Sequence, residues 1–344
     1  MEQQDILSMT LPELQAAVQE LDEPKFRAKQ IFNWLHQKRV TDFSEMTTLS
    51  LPFRERLASD FCINRLKIAK RLASSVDDTV KYLYELPDGN YVETVCMQYH
   101  HGTSLCISTQ VGCRMGCRFC ASAIAGFVRN LTPAEMLLQI YETERAQNCK
   151  ISSLVLMGIG EPLDNFDNVL RFLQLLSDPN GYGMSLRHVT VSTCGVVPKI
   201  LELAEQRLGL TLSVSLHCPN DAGRSAIMPI NRSYPIDVLL DACQTYFEKT
   251  GRRVTFEYAV MEQVNSAEQD AAALAERLKG LHAHVNLIPI NPVKERNFHT
   301  LKKTVLQFQK TLERYGIPAT IRRTLGSDIE AACGQLRRDA IQQT

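Results

Sequence analysis

The chain has 344 residues, 44% hydrophobic and 22% charged, and its 38 Lys and Arg balance 38 Asp and Glu to a formal net charge of zero. These are the proportions of an ordinary soluble globular protein, long enough for one large domain and a small accessory one. No apolar run reaches the ~18 residues of a membrane-spanning helix, and a net charge of zero gives no compositional sign of a nucleic-acid binder, so any such contact must come from local basic patches.

The opening Met1-Glu2-Gln3-Gln4-Asp5 lacks the basic and apolar regions of a secretion signal. The eleven cysteines follow no disulfide-like framework, so a cytoplasmic protein whose thiols are ligands, catalytic groups or small buried hydrophobes is expected. Residues 1–65 read as helical. Thr10-Leu11-Pro12-Glu13 is a capping box with proline in the first turn. Pro24 opens a second helix on which Phe26, Ile31, Trp34 and Leu35 are expected to bury one face. Lys25, Arg27, Lys29, Lys38 and Arg39 decorate it, each singly a solvated residue and together a candidate phosphate contact, as are the patches Arg322-Arg323 and Arg337-Arg338. Ser50-Leu51-Pro52 starts a third helix.

From residue 67 to 108 the pattern turns to strands. Segments 81–85 and 91–97 flank Pro87-Asp88-Gly89-Asn90, a turn sequence. Alternation puts Tyr91, Glu93, Val95 and Met97 on one face. Taken alone, those residues favour an edge strand with Glu93 in water, because carboxylates are mostly exposed.

Next comes a loop containing Cys113, Cys117 and Cys120, a C-x3-C-x2-C arrangement. Three thiolates this close can face a common point, as a metal or an iron–sulfur cluster needs. A closed zinc site completed by a distant fourth ligand is the alternative. Before the loop a strand is expected at 103–108, and beyond it at 153–157, 188–192, 211–217, 253–260, 284–288 and 319–322. Helices between them include 133–146, 267–279 and 304–315. Such alternation implies parallel strands with crossover helices, in a doubly wound sheet or a barrel.

In either architecture working residues gather at the C-terminal ends of the strands. Gly158-Ile159-Gly160-Glu161-Pro162, Ser192, Ser215-Leu216-His217 and Asn291 stand there. A strand-ending glycine turn is commonplace, and a histidine at a strand end is more often a hydrogen-bonded structural residue than a ligand. Cys106, seven residues before Cys113, and Cys333, in Ala331-Ala332-Cys333-Gly334, complete the candidates. Each, taken singly, reads as an inert buried thiol.

The cysteine spacing resembles the signature of the radical S-adenosylmethionine (SAM) enzymes. Gln110-Val111-Gly112, Arg129-Asn130-Leu131-Thr132 and Ala331-Ala332-Cys333-Gly334-Gln335-Leu336 narrow the likeness to the RlmN/Cfr family of RNA adenine methylases, of which RlmN, not separated from Cfr by these motifs, is the better fit. The likeness runs through essentially the whole chain. It implies an α/β fold, a partial (β/α)6 barrel (residues 103–325) behind a helical accessory domain that contacts RNA (1–65) and a β-rich connecting extension (66–102), with the methyl-carrier cysteine on a C-terminal loop (326–344). It implies a [4Fe–4S] cluster on Cys113, Cys117 and Cys120 and SAM held by Gly160, Glu161, Ser192, Ser215, Leu216, His217 and Asn291. It also implies methylation of C2 of adenosine 2503 in 23S rRNA and of adenosine 37 in tRNA, with flavodoxin or ferredoxin as electron donor and no membrane partner. In this scheme Cys333 carries the methyl group, Glu93 accepts the ring proton, and Cys106 resolves the protein–RNA thioether through a transient disulfide with Cys333. Methylation at C8, as in Cfr, and a non-catalytic, metal-stabilised RNA-binding module remain the alternatives.

Overall fold

The computed structural model describes residues 3–290, 298–323, 325–329, 336–337 and 340; Asn291, Cys333 and Arg338 lie outside them. Strand β1 (Gln4–Asp5) leads into helices α1 (Leu11–Glu20), α2 (Phe26–Asn33) and α3 (Leu51–Asp60), and α3 runs into β2 (Phe61–Cys62), which pairs in parallel with β1. The capping box is formed: the Thr10 amide donates to Glu13 Oε2 at 2.8 Å.

After α2 the chain continues as one π-helical turn, Trp34–Lys38, closed by Arg39 in the left-handed region. This turn faces the rest of the molecule. His36 Nδ1 lies 2.9 Å from the Tyr141 hydroxyl, and Arg39 pairs with the buried Glu144 while stacking on Tyr141. Two expectations for α2 therefore change. Arg39 is a structural anchor rather than a phosphate contact, and Phe26 is 58% exposed beside Lys25 and Lys29. Ile31 and Leu35 are buried as expected.

Strands β3 (Lys67–Ala73), β4 (Val80–Glu85), β5 (Tyr91–Tyr99) and β6 (Gly102–Cys106) form an antiparallel run. The turn at 87–90 closes β4 to β5, with the Gly89 amide donating to Leu86 O and Gly89 at φ +79°. Of these four, only β3 is an edge strand, and its exposed Lys67, Lys70 and Arg71 suit a solvated edge. Strand β5 is interior, so Glu93 is 2% exposed and not in water.

A hairpin of β7 (Gln110–Gly112) and β8 (Phe127–Asn130) follows, then α4 (Pro133–Gln147), β9 (Ile151–Leu156), α5 (Phe166–Ser177), β10 (Val189–Thr193), α6 (Val197–Glu205) and β11 (Thr211–Ser215). Helices α7 (Asp221–Ile227) and α8 (Ile236–Thr250) precede β12 (Val254–Val260), α9 (Glu268–Leu278), β13 (Ala283–Pro289), α10 (Lys302–Arg314) and β14 (Ala319–Ile321). The helices cover the sheet through stripes of helical period. In α5 these are Val169, Phe172, Leu173 and Leu176, and burial of each such side chain contributes about 1.5–3 kcal/mol before conformational entropy is counted.

The main sheet runs β14-β13-β12-β11-β10-β9-β6-β5-β4-β3. From β6 onward the strands are parallel and follow one another in chain order. A doubly wound sheet would reverse its order at a switch point; this one does not, and β14 does not pair with β6. It is a partial barrel of six β/α units ended by the short strand β14.

Candidate active site

The C-terminal ends of the parallel strands surround a cavity of about 340 Å³. Cys106, Gly160, Glu161, Ser192, Ser215 and His217 all line it, together with Cys113, Cys117 and Cys120 from the β7–β8 loop. Leu216 does not: its side chain is in the main core, and its carbonyl accepts from Arg224. Glu93 is buried on β5 outside the lining, while its neighbours Val95 and Met97 on the same face form part of the wall.

The cysteine loop is fastened at its base and its flank. The Cys113 amide donates to Gly126 O across the hairpin, and the Arg118 amide donates to Ile227 O at the end of α7. Burial pushes the Cys113 thiol up to about 12 and raises Cys117 as well, so these sulfurs need a cationic partner to be thiolates. A cationic iron cluster is such a partner, and the soft three-sulfur donor set fits it. Among the described residues no three His, Cys, Asp or Glu side chains converge as ligands of one ion would, whereas a cluster takes each thiolate at a different iron.

Gln110 joins this loop to the glycine turn after β9. Its Oε1 accepts from the Glu161 amide at 2.8 Å, and its Nε2 donates to Asn130 and Asp164. That contact explains Gly160, which sits at φ +114° and whose Cβ would stand 2.7 Å from the Gln110 Cβ. The Glu161 carboxylate caps the short 3-10 turn Pro162–Asn165 and the end of β10, accepting from the Leu163 amide at 3.0 Å and the Cys194 amide at 2.7 Å. Burial raises its pKa, and those amides oppose the rise.

His217 is held neutral by burial, its pKa pushed down to about 3 with the Arg224 charge adding to the effect. Its Nδ1 accepts from the Ala259 amide at 2.9 Å, which places the ring proton on Nε2. The ring meets Phe119 of the cysteine loop edge-on, with centroids 4.7 Å apart. On the next strands the buried Glu257 accepts from Ser213 Oγ at 2.7 Å and Asn286 Nδ2 at 2.8 Å.

Sequence reasoning missed two buried cations. Lys81 on β4 has no exposed surface and pairs with Glu93 at 3.0 Å. Arg224 on α7 is also fully buried, and it donates to the carbonyls of Cys194, Ser215 and Leu216 and to Asn231 Oδ1. It ties together the ends of β10 and β11, where Ser192, Ser215 and His217 stand. Neither residue carries a local signal, since lysine and arginine are ordinarily surface residues.

Arg337 also departs from expectation. It was a candidate phosphate contact and is instead 2% exposed, with its amide donating to Glu93 Oε1 at 2.7 Å. Arg322 and Arg323 are exposed at the cavity wall.

Comparison with known proteins agrees with this architecture. Residues 4–63 match the ribosomal RNA large subunit methyltransferase N-terminal domain family, and residues 107–275 match the radical SAM superfamily. The chain is 50% identical to a probable dual-specificity RNA methyltransferase RlmN of Lachnoclostridium phytofermentans, over 99% of this chain and 96% of the relative. It is 48% identical to the corresponding protein of Clostridium novyi, over 98% and 99% of the two chains. A crystal structure of a radical SAM methyltransferase from Sphaerobacter thermophilus superposes with a TM-score of 0.92 at 40% identity, covering 96% of this chain and 98% of that one. With a parallel-stranded barrel, a three-cysteine loop over its mouth and full-length likeness of this degree, the chain belongs to the RlmN family of radical SAM RNA methyltransferases.

Proposed function

We propose that the protein methylates C2 of adenosine 2503 in 23S rRNA and of adenosine 37 in tRNA, through a methyl group carried on Cys333. What supports this reading is that Cys106, the three loop cysteines and strand-end residues Ser192, Ser215 and His217 open on one cavity. Cys113, Cys117 and Cys120 would hold the [4Fe–4S] cluster, which when bound supplies the electron that cleaves SAM to methionine and a 5′-deoxyadenosyl radical.

The chain's own residues do the rest. Gly160, Glu161, Ser192, the 215–217 stretch and Asn291 orient SAM. Adenine C2 is electron-poor and does not attack a sulfonium methyl, so the carbon must arrive as a radical. The Cys333 thiolate takes a methyl from a first SAM; loss of one hydrogen atom to the 5′-deoxyadenosyl radical lets that carbon add to C2. The C2 proton leaves to Glu93 and one electron leaves to the oxidised cluster, which would take back the electron it had supplied, and the aromatic ring is restored. Cys106 then attacks the Cys333 sulfur, so that an S–S bond forms as the S–C bond breaks, and the released carbon takes a proton to become methyl. Two electrons return the disulfide to thiols, which suits a reducing cytoplasm with flavodoxin or ferredoxin as donor for the cluster.

Nucleoside mass spectrometry of a 23S rRNA fragment and a tRNA incubated with the reconstituted protein, SAM and reductant tests the assignment. The expected product is 2-methyladenosine at both sites, absent when the target adenosine is replaced by guanosine. 8-Methyladenosine, or methylation elsewhere, would overturn it.

A further inference from the structure

The segments on either side of Cys333 are fastened to the antiparallel extension, and nothing in the chemistry above uses that attachment. On the upstream side the Asp328 carboxylate receives three donors from the β3–β4 loop. Ser74 Oγ donates to Oδ1 at 2.6 Å, and the Ser75 amide and Oγ donate to Oδ2 at 2.7 and 2.9 Å. Two residues earlier the Gly326 amide donates to Asp77 Oδ2 at 2.9 Å. On the downstream side the Arg337 amide donates to Glu93 Oε1 at 2.7 Å.

The loop also carries hydrogen bonds of its own. Ser74 Oγ accepts from the Val76 and Asp77 amides, so its single proton is left for Asp328. Asp77 Oδ1 accepts from the Thr79 amide, leaving Oδ2 for Gly326. The same loop reaches the cavity: Thr79 lines it, and so does Leu325, next to the Gly326 attachment. The Asp328 carboxyl is held down to about 2, the Ser74 hydrogen bond being the largest cause, so the attachment is charge-assisted at every physiological pH.

We propose that the β3–β4 loop is a platform that anchors residues 325–328, just upstream of Cys333, beside the cavity, with Asp328 and Asp77 as its positioning residues. Cys333 lies five residues after Asp328 and four before Arg337. At ~3.3–3.6 Å per extended residue, covalent reach alone keeps the Cys333 backbone within roughly 18 Å of Asp328 and roughly 14 Å of Arg337. Cys106, SAM and the base are all met at the one cavity, and confinement of this kind raises the effective concentration of the carrier there. The inference rests on Cys333 being the carrier, as proposed above.

Asp328 is exposed, so Asp328→Ala will not unfold the protein. The test uses the reconstituted holoenzyme with SAM, reductant and rRNA fragment. Deuterium uptake of peptides spanning 326–340 reads the tether directly, and the ratio of methylated adenosine to 5′-deoxyadenosine reads its use. Asp328→Ala should accelerate exchange of those peptides by about tenfold. It should also lower the methylation ratio by about tenfold while SAM binding stays within about twofold of wild type. Asp328→Asn, which keeps an acceptor oxygen, should fall between.

Unchanged exchange in Asp328→Ala would overturn the tether whichever residue carries the methyl. Faster exchange with an unchanged methylation ratio would overturn its positioning role. Cys333→Ala is run beside them: methylation surviving in that variant would refute the carrier assignment and not the tether, so the two failures are told apart.

Discussion

Cys117→Ala is expected to leave a folded protein that has lost its iron, its visible absorbance and all detectable reductive cleavage of SAM. Cys117 lines the cavity in a loop fixed by the β7–β8 hairpin and by the Arg118–Ile227 hydrogen bond. Those contacts are backbone ones and survive the substitution, so the loop persists while one of its three sulfurs is gone. With no fourth cysteine at short spacing, no neighbour replaces it. Cys243→Ala is the control, since that thiol is buried in the core on α8 and lines no part of the cavity. It should keep its cluster and cost no more than a small core truncation, about 1 kcal/mol. Iron and sulfide analysis of both proteins after anaerobic reconstitution decides the matter; full activity with stoichiometric zinc and no iron would contradict it.

The second large effect is expected at Arg224, whose charge also acts on the Cys117 thiol. Its guanidinium donates to carbonyls at the ends of β10 and β11 and to Asn231. Arg224→Met matches its length and removes a charge that is costly to bury. It also strips the buried carbonyls of Cys194, Ser215 and Leu216 of a donor, and each acceptor left unsatisfied costs ~1–3 kcal/mol. The net should be a destabilisation of several kcal/mol, with the strand ends free to part. SAM affinity should fall by at least about 100-fold, which is ~2.7 kcal/mol of misplaced contacts. Arg224→Lys keeps the charge without the fork and should recover only part of either loss. Thermal melts and equilibrium dialysis with SAM measure the two effects; a stable Arg224→Met protein with wild-type SAM affinity would rule out the clamp.

What could be read from the sequence was what depends on neighbours in the chain. The helices at 133–146, 267–279 and 304–315, the turn at Gly89 and the capping box at Thr10 are all local, and all are found as expected. Strand ends were legible too, because the change from apolar strand to glycine or polar residue is itself local. The misses involve partners far away in sequence. Whether β5 is an edge depends on β4 and β6 pairing to either side, and that decided the burial of Glu93. Arg39 looked like part of a basic face until Glu144, 105 residues later, took it inward. Arg337 lost its surface role because its amide meets Glu93, 244 residues away. Lys81 and Arg224 resemble any exposed cation until the fold supplies a buried carboxylate for one and strand-end carbonyls for the other. The barrel was separable from a doubly wound sheet by strand order alone, which no single segment contains.

The division of labour between Cys106 and Cys333 tests the covalent route most directly. Cys106→Ala keeps the methyl carrier and removes the thiolate that breaks the thioether, so the carbon can still join the base but the adduct cannot be resolved. Cys333→Ala, alone or combined with Cys106→Ala, can form no adduct at all. Each protein is incubated with RNA, SAM and reductant and run on a denaturing gel. The account predicts a protein–RNA species for Cys106→Ala only, attached through Cys333. Free, fully methylated RNA from Cys106→Ala, or a cross-link that persists without Cys333, would contradict it.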